Sequence, residues 1–276
     1  MNVSAHTTRT EFASCVRSWR EHRKLSQLDL ALTAEVSQRH ISWLETGRSL
    51  PSREMVIRLS EAMSIPLRER NSLLLSAGYA AVYTENDLDD PSMKPVLDAL
   101  KQVIYHHEST PAVVVDRFWN VKMNNSMADA LFDLVGDVKK MWSGISNSDE
   151  INLAMLTLHP QGFKPYIKNW DKIAPVFVRR LQQEAASSGD KELNKHVERL
   201  VEISGISDFS SGPGAALLPV LPFEIDLGSL TICMFSVIST FGTAQDITTD
   251  ELRIESFYPN DEKTKSFFED FLKQSK

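Results

Sequence analysis

The sequence contains only two cysteines, Cys15 and Cys233, among 276 residues. A disulfide-stabilised scaffold needs more cysteines, so we expect both to be buried thiols in a reducing cytoplasm. No apolar run approaches the roughly 20 residues that a membrane-spanning helix needs. The first residues, MNVSAHTTRTEF, hold no apolar stretch of the kind that directs secretion. These absences predict a cytoplasmic, globular protein with no membrane partner.

Sequence signatures of common enzymes and metal sites are also absent. The chain has no GxGxxG, Walker, GxSxG or HExxH motif. His106, His107 and Glu108 are adjacent, and adjacent residues of a helix point to different faces, which argues against a metal site. Ser188 and Lys191 have the spacing of a nucleophile pair but fall in a polar loop. We therefore expect no catalytic residue, no metal, no cofactor and no enzymatic activity.

Acidic and basic residues are unevenly distributed along the chain. The formal net charge is −7, which alone argues against binding nucleic acid. The first 80 residues nevertheless carry an excess of three basic residues, whereas the remainder carries an excess of ten acidic residues. Because the excess of basic residues is confined to the N-terminal part, DNA binding is possible for that part of the chain only.

The N-terminal third is predicted to form five short helices separated by tight turns. Phe12, Val16 and Trp19 have helical spacing, and serines precede the following apolar stretches, where helix N-caps belong. The stretch TENDLDDPSMKP is acidic and contains prolines, which is typical of a linker. We expect an all-α domain over residues 1–83, a linker over 84–95 and a second domain over 96–276.

One predicted helix has the polarity that reading DNA requires. Ser37 is its candidate N-cap, and Ile41 and Leu44 are spaced to face the core. The opposite face then presents glutamine and arginine near the N-terminus, which match adenine and guanine edges in the major groove. The outward side chains are Gln38, Arg39, Ser42 and Trp43.

The run LSQLDLALTAEVSQRHISWLETGRSLPS resembles the lambda-repressor or XRE class of helix-turn-helix domains. The resemblance implies an ion pair between Arg20 and Glu45 and binding to double-stranded DNA, with a homodimer on a near-palindromic operator. Trp43 departs from the polar residue common there, and it either meets a thymine methyl group or packs. The residues implied to contact DNA are Gln27, Ser37, Gln38, Arg39, His40, Ser42, Trp43, Arg48 and Arg53.

The C-terminal part mixes strand and helix patterns. Two strands around a turn (111–116 and 120–123) precede helices, and three strands (220–226, 229–240 and 251–258) precede a final amphipathic helix. This order predicts an α+β domain with one antiparallel sheet. The strand SLTICMFSVIST has two apolar faces, so we expect it to be covered on both sides or to line a cavity.

Residues 96–276 resemble the ligand-binding domain of MmyB-like transcription regulators, which has a PAS-like fold. The resemblance rests on PAVVVDRFWNVKMNNSMADALF, NLAMLTLHPQGFKPYIKNW and STFGTAQDITTDELRIESFYPNDEKT. It implies a cavity for an apolar or amphipathic small molecule, with a fatty acid as one candidate. Two alternatives stay open: a domain that only dimerises, or an unrecognised enzyme. For each candidate pocket residue a purely structural role is the alternative: ordinary core packing for the apolar ones, a helix cap for His159, and pairing with Glu255 for Arg253. The candidates are Trp119, Met123, Met127, Phe132, Met155, His159, Phe177, Met234, Phe241 and Arg253.

Overall fold

The computed structural model describes residues 3–106, 109–206 and 220–274. The chain divides into two compact units, one of Met1–Asn86 with Ala244–Asp250, the other of Asp87–Thr243 with Glu251–Lys276. The predicted fold class is confirmed, because five N-terminal helices are followed by an α+β part with one five-stranded antiparallel sheet. Among the described residues, no helix combines the length and hydropathy that crossing a membrane requires.

The five N-terminal helices are connected by short turns. Serine N-caps begin three of them: Ser26, Ser37 and Ser52 each accept a hydrogen bond from the backbone N–H three residues later. The run QLDLALTAEV predicts a second helix that stops at Val36. The helix ends at Thr33 instead, because Glu35 has a positive φ that ends the helical path. The helices are α1 (Val3–His22), α2 (Gln27–Thr33), α3 (Gln38–Glu45), α4 (Arg53–Ala62) and α5 (Leu67–Ser76).

A single apolar core joins these helices. Phe12 and Val16 of α1 are almost fully buried. They cluster with Ile41 and Leu44 of α3 and with Leu30 of α2, which sets the angle between α2 and α3. Burial of each such side chain contributes about 1.5–3 kcal/mol, so the core fixes the outward face of α3.

The segment Ala244–Asp250 also belongs to this first unit, although its sequence lies among the strands of the second. The Asp246 carboxylate accepts hydrogen bonds from the Thr84 hydroxyl at 2.9 Å and from the side-chain amide of Asn86 at 3.0 Å. The backbone of Thr84 pairs with that of Asp246, and the Ile247 side chain is 3% exposed. The sequence pattern predicts these residues within the C-terminal domain, because they lie between two of its strands.

The second unit is built on a sheet with the strand order β2-β1-β5-β4-β3, in which all neighbours are antiparallel. This order cannot be read from the sequence, because β5 inserts between β1 and β4 although it comes last in the chain. The strands are β1 (Ala112–Val115), β2 (Val121–Asn124), β3 (Phe223–Asp226), β4 (Thr231–Ser239) and β5 (Arg253–Pro259).

Helices cover the sheet unevenly. Leu100 and Ile104 pack against one face, beside Val114 and Ile254. Of the two alternatives expected for β4, cover on both faces does not hold, because Val237 on that same face is 44% exposed. The opposite face of β4 lines a cavity through Ser236. The helices of the second unit are α6 (Lys94–His106), α7 (Ser126–Val135), α8 (Val138–Ile145), α9 (Leu153–Leu158), α10 (Trp170–Ser188), α11 (Lys191–Ser204) and α13 (Glu262–Gln274). Helix α12 (Ile247–Glu251) falls almost entirely in the segment that belongs to the first unit.

Candidate DNA-reading surface and ligand cavity

Helix α3 presents its polar residues on one exposed face. Ser37 caps it by accepting a hydrogen bond from the His40 backbone at 3.2 Å. Ile41 and Leu44 are fully buried, so the helix cannot rotate about its own axis without losing core contacts. Gln38, Arg39 and Trp43 are consequently exposed, and His40 and Ser42 are half-buried beside them.

The exposed arginine of α3 is stacked on a neighbouring ring. The Arg39 guanidinium carbon lies 4.5 Å from the centre of the Trp43 ring, one helical turn away. Such a cation–π contact contributes about 0.5–1 kcal/mol at an exposed site and restricts the arginine to few rotamers. Within the described ranges Arg39 has no ion pair, so its N–H edges remain able to donate to a base. The stack gives Trp43 a role that the sequence left undecided between contact and packing.

Glu45 at the end of α3 holds three helices together. The Arg20 Nε of α1 donates to Glu45 Oε1 at 2.6 Å, and its Nη2 donates to Oε2 at 3.1 Å. The Gln27 side chain of α2 donates to the same Oε2 at 2.9 Å. The Glu45 side chain is only 3% exposed. The Gln27 side chain therefore links α2 to the end of α3.

Two further arginines follow α3 on the exposed surface. Arg48 lies in the loop after the helix, and Arg53 is the first residue of α4. Both are exposed, and neither has a carboxylate partner among the residues that the structure describes. Unpaired arginines beside a recognition helix are the usual contacts to DNA phosphates.

A cavity of about 300 Å³ lies between the sheet and the helices of the second unit. Its wall is mostly apolar, and its size is at the lower end of ligand pockets, which occupy about 300–1,000 Å³. Polar side chains in the wall are few: Thr157, Tyr166, Arg180, Ser236 and Glu255. The apolar lining residues are Trp119, Leu131, Phe132, Val135, Leu153, Phe163, Ile167, Ile173, Val176, Phe177, Val220, Leu221, Phe223, Ile225 and Phe257.

Trp119 occupies an unusual backbone position in this wall. Its φ is +71°, a conformation that bulky residues rarely adopt. The indole Nε1 donates to the Glu184 carboxylate at 3.3 Å, and the ring meets Phe177 edge-on with the centres 5.2 Å apart. Backbone strain of this kind costs on the order of 1–3 kcal/mol and is characteristic of functional sites. The surrounding contacts thus hold the tryptophan ring at the cavity.

Glu255 is the buried acidic group of the cavity. It lies on β5 between Val113 of β1 and Ile238 of β4, and it is 6% exposed. Burial raises the pKa of its carboxyl group; a hydrogen bond from Ser236 and the charge of Arg180 act in the opposite direction. The folded protein therefore keeps this proton to a higher pH than the unfolded chain does.

This pKa shift predicts how stability depends on pH. The unfolded glutamate loses its proton near pH 4.3. Between that pH and the raised folded pKa, folding binds a proton, so the free energy of unfolding falls as the pH rises. Glu255→Gln has no carboxyl group to titrate here, so it should not lose this stability as the pH rises. Its melting temperature should therefore exceed that of the wild type at pH 8, but not at pH 4. Melting curves across this range check the expectation, with Glu224→Gln on strand β3, two strands away, as control. A parallel pH dependence in wild type and Glu255→Gln would contradict it.

Three of the ten candidate pocket residues line this cavity: Trp119, Phe132 and Phe177. The other seven lie elsewhere. Met123 and Phe241 pack with α6 on the opposite face of the sheet, and Met127 and Met234 are core residues near Phe268. Met155 packs among the helices next to Trp142.

The remaining two candidates are occupied by structural contacts. His159 ends α9, and its Nδ1 accepts a hydrogen bond from the Gln161 backbone at 3.1 Å. Arg253 forms an ion pair with Glu184 of α10, not with Glu255 on its own strand. Among the described residues, no group of three or more His, Cys, Asp or Glu side chains gathers as a metal site; His107 and Glu108 lie outside them.

The polar residues of the cavity are absent from the set of pocket residues that the sequence predicts. A signal for Glu255 was available: residues 253, 255 and 257 share one face of the strand ELRIESFY, which puts an acidic group in the middle of an apolar strand. Ile173, Phe177 and Arg180 have helical spacing and face the cavity from one stripe of α10. The sequence does not show that this stripe of α10 faces β5, because that arrangement follows only from the pairing of β5 with β4.

Comparison with known proteins agrees with both units. Residues 96–270 match the family model of the MmyB-like transcription regulator ligand binding domain. Residues 16–70 match a helix-turn-helix family model. Among solved structures, the chain is similar to the crystal structure of the clp gene regulator ClgR from C. glutamicum, with 25% identity, a TM-score of 0.23, and coverage of 26% of this chain and 88% of that chain. None of the curated proteins compared matches the chain.

Proposed function

This chain belongs to the family of MmyB-like transcription regulators, and from that premise we propose how it reads DNA and what it senses. It is a transcription regulator that binds DNA through its helix-turn-helix. The proposal adds that α3 enters the major groove, with Gln38 and Arg39 on base edges and with Arg48 and Arg53 on phosphates. The single observation that carries it is the fixed outward face of α3. Because it acts on DNA, we place the protein in the cytoplasm.

We further propose that the protein acts as a homodimer on a near-palindromic operator. One helix-turn-helix reads a half-site, and dimers of this class bind two half-sites about 34 Å apart. Selection of binding sites from random DNA with the full chain should return two inverted half-sites separated by about one helical turn. A single, unrepeated motif would contradict the dimer.

Substitutions of two arginines test the reading surface. Arg39→Ala should weaken binding to the selected operator by about 1–3 kcal/mol and relax the preference at one base position, because a bidentate contact to guanine is lost. Arg48→Ala should weaken binding to every sequence and flatten the dependence of affinity on salt, because one phosphate contact is lost. Fluorescence anisotropy over a salt series measures both effects.

Arg58→Ala is the matched control for these variants. Arg58 is an exposed arginine of α4 outside the proposed contacts, so its replacement should leave the salt slope and the base preference unchanged. If Arg39→Ala and Arg48→Ala bind every DNA as tightly as the wild type does, the assignment of α3 is wrong.

For the second unit we propose that the cavity binds a small apolar or amphipathic molecule, with a fatty acid as one candidate. The support is a wall in which apolar side chains far outnumber polar ones. Native mass spectrometry of the purified full chain should show a small molecule that dissociates on activation. A protein that is empty, and that binds none of a panel of amphipathic compounds, favours the alternative of a domain that only dimerises.

The proposed mechanism is that this ligand shifts the affinity for DNA. A ligand changes that affinity only if it binds one conformation better than the other. We place the coupling at the linker 84–95, at α6, and at the segment Ala244–Asp250. This segment joins β4 to β5, two strands that line the cavity, yet its own contacts are with Thr84 and Asn86 of the DNA-binding unit. If operator affinity is the same with and without saturating ligand, the coupling is absent.

A further inference from the structure

Trp43 is a large aromatic residue on the outward face of α3. It is 37% exposed, and it is not among the described residues that pack into the apolar cluster around Ile41 and Leu44. Its backbone carbonyl accepts hydrogen bonds from the backbone N–H groups of Arg48 at 2.8 Å and of Ser49 at 3.3 Å. The backbone of this tryptophan is therefore fixed, although its ring contributes little to the core.

The Trp43 ring covers one side of the Arg39 guanidinium. The guanidinium carbon lies over the ring, 4.5 Å from its centre. A guanidinium is planar, with its N–H donors along the edge, and its two faces are weakly hydrated. Among the described residues, no second aromatic ring and no carboxylate lies against Arg39. Its donor edge and its second face are therefore both open to a binding partner.

The open face of Arg39 predicts which base lies beside the one that its edge contacts. An arginine that donates to both O6 and N7 of a guanine lies near the plane of that base. Because base pairs stack about 3.4 Å apart, the open face then meets the edge of the adjacent pair. The apolar group that base edges present in the major groove is the methyl group of thymine. A weakly hydrated face packs better against this methyl group than against a polar base edge.

We propose, on the premise that α3 reads DNA through Arg39, that Trp43 is a positioning residue and that the two residues together select a guanine preceded by a thymine. The Trp43 ring holds the guanidinium from one side, and the guanidinium edge donates to the guanine. The open face packs on the methyl group of the thymine 5′ to that guanine. The preference for thymine is one-sided, because Trp43 occupies the other face. Trp43 acts through Arg39 and makes no base contact of its own.

The experiment uses the full chain and the operator that selection from random DNA returns. The position at which Arg39→Ala relaxes the base preference identifies the guanine. Anisotropy titrations then compare duplexes with thymine, uracil, cytosine or 5-methylcytosine directly 5′ to this guanine. Uracil and cytosine lack the methyl group, so each should weaken binding by about two- to fourfold relative to its methylated counterpart. Exchanging the base 3′ to the guanine between thymine and uracil should change nothing.

Substitutions at Trp43 test its positioning role. Trp43→Leu keeps an apolar side chain but loses the ring, so it should weaken operator binding by about two- to fivefold and reduce the preference for the guanine. Trp43→Phe keeps an aromatic face and should retain most of both. In the Arg39→Ala background, neither Trp43→Leu nor removal of the thymine methyl group should have a further effect, because both act through the guanidinium. Leu32→Ala, which changes a 70% exposed apolar residue outside the proposed contacts, is the matched control and should bind as the wild type does.

The outcomes separate this inference from the proposed function. If Arg39→Ala relaxes the preference for a guanine but Trp43→Leu binds as the wild type does, the inference is overturned while α3 remains the reading helix. The same holds if exchange of the 5′ thymine for uracil has no effect. An effect of uracil that persists in Arg39→Ala also overturns the inference, because Trp43 itself then meets the methyl group. If Arg39→Ala changes no base preference, the proposed reading surface has failed.

Discussion

Replacing Glu45 by alanine is expected to lower the free energy of unfolding of the DNA-binding unit by about 3–5 kcal/mol, the cost of breaking a buried ion pair from one side. The Arg20 side chain is only 11% exposed, and Glu45 accepts two of its hydrogen bonds. Removing the carboxylate leaves the buried guanidinium with only the exposed Glu21 carboxylate, 3.6 Å away, as an anionic neighbour, and it leaves the Gln27 amide without its acceptor. Because Glu45 ends α3, we expect operator binding to be lost together with the fold.

Urea unfolding of the full chain, followed by circular dichroism, measures this loss as an earlier first transition. Glu21→Ala is the control, since Glu21 pairs with Arg17 and lies 3.6 Å from the same Arg20 guanidinium, but is 54% exposed. An exposed pair of this kind contributes about 0–1 kcal/mol. If the two variants unfold within about 1 kcal/mol of each other, the ion pair does not hold the unit together.

The DNA-binding unit was the part most accessible from the sequence, because its determinants are local. Each N-cap serine lies three residues before the amide that it accepts from, and each buried face repeats at helical spacing. Ile41 and Leu44 therefore predicted the outward face of α3 without any long-range information. The one boundary placed too late, the end of α2, depended on a positive φ at Glu35, a residue type that gives no signal for it.

The cavity was much less accessible, because its wall depends on pairing between distant strands. Four methionines and Phe241 are among the predicted pocket residues, yet Met123 and Phe241 pack with α6 on the other face of the sheet. Apolar character identifies a residue as buried but does not say on which side. Glu255 and Arg180 come together only because β5 lies between β1 and β4 and faces α10.

Asn125 is expected to be as important to the second unit as Glu45 is to the first. Its Oδ1 accepts from the backbones of Ala112 at 3.1 Å and Ala128 at 2.9 Å. Its Nδ2 donates to the carbonyls of Ile104 at 3.1 Å and Thr110 at 2.9 Å. One buried side chain thus ties the end of α6, the start of β1 and the start of α7, the helix that forms part of the cavity wall.

Asn125→Asp should lower the free energy of unfolding of this unit by about 3–5 kcal/mol, because an uncompensated charge is then buried against two carbonyl oxygens. Its shape is nearly unchanged, so packing does not explain the loss. Acidification protonates the new carboxyl group and restores one donor, so the difference from wild type should shrink between pH 7 and pH 5. Asn125→Ala removes all four bonds and should lose stability equally at both pH values.

Asn124→Ala is the matched control for Asn125, since the neighbouring side chain is half-buried and, within the described part of the chain, bonds only the exposed Asp129. It should cost about 1 kcal/mol or less. Tryptophan fluorescence during urea unfolding at pH 7 and pH 5 measures all three variants. Because α7 contributes Leu131, Phe132 and Val135 to the cavity, Asn125→Asp should bind octan-1-ol more weakly at pH 7 and recover at pH 5. Equal stability of Asn125→Asp and wild type would show that the four bonds do not hold the wall in place.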